Sequence, residues 1–144
     1  MATETRELTT ESEWREAFPV LRQLRDRLTE ETYLDYLAEM REEGYRLFGV
    51  IEDEPIAVAG VIVRTNFYNG RHAFVYDLVT DEGRRSEGHG ARLMARVEDF
   101  AQAQGCESIT LESGLWREDA HRFYEEACDM EKFCYTFKKE FDGV

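Results

Sequence analysis

Lysine is nearly absent from this chain. Of its 18 basic residues only Lys132, Lys138 and Lys139 are lysine; the rest are arginine. Against them stand 31 acidic residues, which leaves a formal net charge of −13. Such a chain offers no basic face to a phosphate backbone, so nonspecific nucleic-acid binding is not expected. Cysteine is scarce as well. Cys106, Cys128 and Cys134 are odd in number, widely spaced and form no CxxC pair. His72, His89 and His121 are equally scattered, so neither a disulfide framework nor a metal site is expected. Long apolar runs are also missing. The longest, IAVAGVIV from Ile56 to Val63, is far too short to span a bilayer and suits a buried strand. The opening MATETRELTT carries neither a basic run nor an apolar stretch. A cytoplasmic protein with reduced thiols and no membrane partner is therefore expected.

What is present suits a globular protein. The 144 residues are 42% hydrophobic and 12% aromatic, enough for a real core. One domain, residues 1–144, is expected, with no repeat, linker or low-complexity segment. The acids are spread along the whole chain rather than bunched. Two readings follow: solubility in a high-salt cytoplasm, where charges are screened, or steering of a cationic substrate.

The hydrophobic pattern predicts a short strand at Arg6–Thr9, then a helix capped by Thr10 or Ser12. Trp14, Phe18, Leu21, Leu24 and Leu28 recur there at helical spacing, with Pro19 inside the pattern as a kink or early break. Thr29 and Thr32 offer caps for a second helix, striped by Tyr33, Leu34, Leu37 and Met40 and stopped at Gly44. Turn signals at EDEP and NFYNG divide the next stretch into three antiparallel strands, Tyr45–Ile51, Ile56–Phe67 and His72–Thr80. An amphipathic helix follows, with Leu93, Met94, Val97, Phe100 and Ala101 on one face and Gly105 at its end. SITLES reads as a strand. REDAHRFYEEA reads as a helix with Ala120, Phe123, Tyr124 and Ala127 on one side, and KFCYTFKKEF alternates like a final strand. The order β α α β β β α β α β describes an α+β fold: a single mixed, mostly antiparallel sheet flanked by helices, with at least one parallel crossover.

One stretch stands against the acidic background: RRSEGHGARLM, Arg84 to Met94. It follows a strong strand and opens a helix. A helix start presents free main-chain N–H groups and the positive end of the dipole, so it suits an anion. Glycines let a phosphate approach the main chain, and Arg84, Arg85 and Arg92 add mobile positive charge. The stretch is thus a candidate phosphate or pyrophosphate cradle. A Walker A loop does not fit, because His89-Gly90 stands where Lys-Ser/Thr is needed after Gly83 and Gly88. A dinucleotide fingerprint does not fit either, because Leu93 occupies its sixth position.

Arg85, Gly88 and Gly90 form R-x-x-G-x-G, which resembles the acetyl-coenzyme A loop of the GCN5-related N-acetyltransferases (GNAT). The resemblance runs from Tyr76 to Met130, with loop, helix, strand and second helix in order. It implies a GNAT-like acyl-CoA N-acyltransferase fold and acetyl-CoA as co-substrate. In that family the pantetheine arm pairs with main chain between two splayed parallel strands; the matching stretch is Leu78, Val79 and Thr80, whose amides would also polarise the thioester carbonyl. The pyrophosphate would rest on amides of Arg85, Ser86, Glu87, Gly88, His89, Gly90 and Ala91, with Arg84 or Arg92 reaching the phosphates. Between Val79 and Arg85 the chain is one residue longer than the commonest family spacing, so Arg84 and Arg85 are alternative occupants of the loop's arginine position.

A second motif resembles N-x-x-A-x-x-F-Y. Ala120, Phe123 and Tyr124 match, and Arg117 stands where the asparagine belongs. Arg117, His121 and Phe123 are accordingly candidate coenzyme contacts, with core packing the alternative for Phe123 and a surface place for His121. The resemblance casts Tyr124 as general acid to the departing coenzyme thiolate. For the general base it offers Glu112, which some family members match on the strand before the second motif; an apolar strand would also raise its pKa. Asp77 and a water are the alternatives. The implied reaction is direct attack by a primary amine on the thioester in a ternary complex, without acyl-enzyme or metal. The alternative is a non-catalytic acyl-CoA-binding sensor or partner module. The acceptor, a small-molecule or protein amine, is expected near the first two helices and the Phe67–Arg71 loop, around Tyr33, Tyr36, Phe67 and Tyr68. A homodimer is common in the family.

Overall fold

The computed structural model describes residues 3–142. Positions 1, 2, 143 and 144, which the expected domain includes, lie outside the described residues. The chain divides after Leu111 into two compact units.

The first unit is built on a five-stranded sheet of order β1-β2-β3-β4-β5. Its strands are β1 (Glu4–Leu8), β2 (Arg46–Glu52), β3 (Glu54–Asn66), β4 (Gly70–Thr80) and β5 (Ser108–Leu111). The first four pair antiparallel in succession, and β4 pairs β5 in parallel. This is the expected mixed, mostly antiparallel sheet. Helices α1 (Glu11–Leu24) and α2 (Glu30–Glu42) precede β2, and α3 (His89–Ala103) makes the crossover from β4 to β5.

Strand alternation sends successive side chains to opposite faces. Leu47 joins Phe18, Leu21, Tyr33 and Leu37 of the first two helices in one buried cluster. Its neighbour Phe48 points the other way and meets the Phe100 ring of α3 at 5.4 Å. Helices therefore cover both faces, which explains the unbroken apolar run of β3. Pro55 to Ile62 are all buried, and each large apolar side chain among them is worth about 1.5–3 kcal/mol.

The helix starts follow the predicted chemistry. Thr10 and Glu13 form a reciprocal capping box at α1, and the Thr29 hydroxyl accepts from the Thr32 N–H at α2. Helix α1 runs through Pro19 without a break. The proline is exposed, so the intrahelical bond that its ring removes is lost on the solvent side, while Ala17, Phe18, Val20 and Leu21 hold the helix to the core. Leu28 lies beyond the helix, in the connection to α2.

The second unit begins at Glu112 and contains α4 (Glu118–Arg122), which continues into a π-helical turn at Phe123–Ala127. Wider winding changes the spacing on which a single helical face depends, and Ala127 is exposed rather than aligned with Ala120. The expected final strand, 132–141, is not formed. Alternation sorts side chains between two faces, but a strand exists only where its main chain pairs, and this segment makes no ladder among the described residues. Phe133, Tyr135 and Phe137 are exposed.

Candidate active site

In the first unit two backbone features meet at the end of β4. The first is a bulge. Asp77 pairs with Gly60 and Val75 with Val61, so Tyr76 is an extra residue in β4. The second is the loss of one neighbour, because β5 ends at Leu111. Pairing with β5 covers only His72 to Val75, and from Gly70 to Thr80 the other neighbour is β3. Over Leu78, Val79 and Thr80 the described ladder is therefore with β3 alone. Leu78 and Thr80 are half-buried and Val79 is buried.

The chain then enters the glycine turn. Asp81 opens a 3₁₀ turn, Glu82–Arg84, and its side chain accepts from the Gly83 N–H at 3.2 Å. Gln23 of α1 grips this corner twice: its Nε2 donates to Asp81 Oδ1 at 2.7 Å, and its Oε1 accepts from the Glu82 N–H at 2.9 Å. Ser86 and Gly88 take left-handed φ values of 66° and 86°. Gly88 is the N-cap residue of α3, and a side chain there would meet nothing within 4 Å, so the turn demands glycine for its backbone and not for space.

The start of α3 differs from those of α1 and α2. It has no side-chain cap and no acidic residue in its first turn, which comprises His89, Gly90, Ala91 and Arg92. Its first intrahelical bond runs from the Arg92 N–H to the Gly88 carbonyl. The preceding amides and the positive dipole end are left for an outside acceptor.

The arginines divide. Arg84 donates from Nη2 to Glu52 at 2.9 Å and from Nε to Glu87 at 3.0 Å, so its charge is already engaged. Arg85 and Arg92 are exposed and make no ion pair among the described residues. Of the two candidates for the loop's arginine, Arg85 is therefore the one with its guanidinium open. Bonds from His89 and Arg84 hold the Glu87 carboxyl below the usual carboxylate range, and bonds from Arg84 and Thr3 do the same for Glu52. His89 is buried; Nε2 lies 3.0 Å from Glu87 Oε1, and Nδ1 has no partner among the described residues.

Beside the bulge sits a polar cluster. Asp77 Oδ2 accepts from the Tyr45 hydroxyl at 2.9 Å, and Oδ1 accepts from Arg25 Nε at 2.9 Å. Burial, and then the Asp77 charge, push the Tyr45 phenol well above its ordinary pKa, so it is a fixed neutral donor. Sequence reading missed Tyr45, Arg25, Gln23 and Glu52. No local signal marks them, because their partners lie 32 to 59 positions away in the chain.

The second unit carries the other motif. Arg117 is the N-cap residue of α4 and makes no side-chain cap bond. His121 donates from Nε2 to the Gly114 carbonyl at 2.8 Å. Phe123 and Tyr124 are half-buried in the π turn, with ring centroids 5.5 Å apart in an edge-to-face arrangement. Glu112 lies just past β5 and is exposed, with a hydrogen bond from Thr136. The premise of a carboxylate embedded in an apolar strand is thus not met, because the strand ends one residue earlier. Of the expected acceptor aromatics, Tyr33 belongs to the core and donates to the Trp14 carbonyl, whereas Tyr36, Phe67 and Tyr68 are exposed.

Residues 8–130 match the model of the acetyltransferase (GNAT) family. The uncharacterized N-acetyltransferase YhdJ of Bacillus subtilis is 38% identical over 136 residues, covering 93% of this chain and 96% of that protein. Aminoglycoside N(6')-acetyltransferase type 1 of Serratia marcescens is 30% identical over 101 residues, covering 62% of this chain and 68% of that protein. Among solved structures, aminoglycoside N-acetyltransferase AAC(6')-Iy in complex with CoA shares the fold, with a TM-score of 0.84 at 16% identity over 96% of this chain and 95% of that one.

Proposed function

This chain belongs to the acetyltransferase (GNAT) family, and from that membership we propose that it uses acetyl-coenzyme A to acetylate a primary amine by direct attack in a ternary complex. The observation that carries the reading is the end of β4. β4 continues past its last pairing with β5 at Val75, and the turn of 81–88 then leads into an uncapped helix start. Main-chain donors of that kind fit an extended amide-bearing arm followed by a diphosphate.

Leu78, Val79 and Thr80 would hold the arm. The amides from Arg85 to Ala91 would hold the pyrophosphate, with Arg85 and Arg92 as its mobile counter-charges. When bound, the coenzyme supplies an activated acetyl thioester. Tyr124 is the proposed proton donor to the departing thiolate, and Asp77 or Glu112, or a water, accepts the proton of the amine. Arg117, His121 and Phe123 are the further proposed coenzyme contacts. The Serratia relative acts, by its name, on an aminoglycoside; a cationic small-molecule amine in the cytoplasm suits the acidic surface of this chain.

A thiol-release assay over a panel of amines, run alongside calorimetric coenzyme A binding, tests the reading. Saturable release that depends on both acetyl-coenzyme A and an amine is expected. Coenzyme A binding with no turnover on any amine overturns the catalytic part, and no coenzyme A binding overturns the whole.

A further inference from the structure

Asp77 and Arg25 form an unequal pair. The carboxylate side chain is only 12% exposed, whereas the guanidinium that neutralises it is 46% exposed. A carboxylate so far from water requires a cation. The cation it has comes from outside the sheet, at the first residue after α1, where the backbone leaves helical geometry with φ −117° and ψ 67°. The same guanidinium donates from Nη2 to the Tyr76 carbonyl at 2.8 Å. Tyr76 is the bulged residue of β4, without a partner in the β3 register.

Two oxygens, Tyr76 O and Asp77 Oδ1, thus converge on one cationic group. Asp77 is held independently of that group, because Oδ2 is fixed by the buried Tyr45 hydroxyl at 2.9 Å. The pair also directly precedes Leu78, where the proposed thioester-holding main chain begins.

We infer that the Tyr76 carbonyl and the Asp77 carboxylate form the ammonium-binding site for the acceptor amine, and that Arg25 is a resident cation which the acceptor displaces. This rests on the acetyltransferase reading above. An ion pair with so exposed a guanidinium is held weakly, so its exchange for another cation costs little. The site takes a primary ammonium and rejects a neutral alcohol of the same shape, because a buried carboxylate loses its counter-charge when only a hydroxyl replaces it. Arg25 therefore sets a threshold for acceptor affinity: an amine binds only as well as it outcompetes the arginine.

The test is an NMR titration of the folded protein with propylammonium, with 1-propanol as the neutral control, read at the Asp77 and Leu78 amides. Arg25→Gln is expected to bind propylammonium about fivefold more tightly than the unsubstituted protein, the size expected for loss of an exposed competing pair. Arg25→Lys, which keeps a competing cation, is expected to stay nearer the unsubstituted protein. Asp77→Asn is expected to lose the binding, with coenzyme A affinity unchanged in every variant. Should Arg25→Gln bind no more tightly, or Asp77→Asn bind as well as before, the inference is overturned. If Asp77→Asn does not fold, the Arg25 pair alone decides. The readout is binding, so absence of acetyl transfer in the thiol-release assay leaves it intact and counts against the catalytic reading only.

Discussion

A Cβ built on Gly60 would fall 1.5 Å from the Tyr45 hydroxyl oxygen. Gly60 is on β3 and Tyr45 just precedes β2, so the tyrosine ring crosses the sheet face over a position that must lack a side chain. That crossing delivers the hydroxyl to Asp77. Gly60→Ala is therefore expected to cost about 3 kcal/mol or more of stability, since ring and strand both have to move. Tyr45→Phe keeps the packing and removes one buried hydrogen bond, at about 2 kcal/mol. Denaturant unfolding of the two variants measures both. If Gly60→Ala is neutral, the ring does not occupy that space.

The same tyrosine sets an alkaline limit. Its folded pKa is raised above the ordinary value of 10.0, first by burial and then by Asp77. The unfolded chain releases this proton near pH 10 while the folded one holds it, so the contribution is complete below that pH and is lost as pH rises toward the folded value. Stability is expected to fall above about pH 10, and less steeply in Tyr45→Phe. Equal slopes for the two proteins in thermal unfolding against pH would show that Tyr45 ionises freely.

Gly88 has room around it but takes a φ of 86°. Gly88→Ala is expected to cost about 1–2 kcal/mol from backbone strain alone. It is also expected to weaken coenzyme A binding, because the new methyl projects into open space at the helix start where the diphosphate is proposed to rest. Gly88→Asn, which tolerates this φ, is expected to restore most of the stability but not the binding. Calorimetry beside thermal unfolding separates the two effects.

Arg84 and Arg85 are neighbours with different expected roles. Arg85→Gln is expected to weaken coenzyme A binding about fivefold, with a shallower dependence on salt and no loss of loop order. Arg84→Gln is expected to loosen the loop, because it releases Glu52 and Glu87 together. Both carboxyls have depressed folded pKa values. Their contribution is present above the ordinary carboxylate pKa and is lost as pH falls through the folded values. Loop protection in hydrogen exchange should therefore fade only under acid conditions, and Arg84→Gln should weaken that acid transition, leaving the part that His89 gives Glu87 and Thr3 gives Glu52.

Tyr124→Phe keeps the ring of the π turn and removes its hydroxyl. If Tyr124 protonates the leaving thiolate, kcat is expected to drop about a hundredfold with little change in coenzyme A affinity. A drop confined to KM would place the residue in binding rather than in proton transfer.

Much of this molecule was determined by the sequence itself. Period and capping residues are local properties, so Thr10, Thr29 and the apolar stripes were enough to define α1 and α2, and the run from Ile56 to Val63 marked a strand covered on both faces. The loop chemistry was legible for the same reason: strand, glycine turn and helix start are consecutive. The tertiary structure decided what depends on pairing at a distance. It left 132–141 out of any ladder despite its alternation, ended β5 before Glu112, and assigned Arg84 to Glu52 and Glu87, leaving Arg85 open. It also brought Arg25 and Tyr45 to the Asp77 carboxylate. No sequence pattern could foretell that meeting, because it depends on a one-residue bulge in β4 and on strand register, and a shift of one residue turns every side chain to the opposite face.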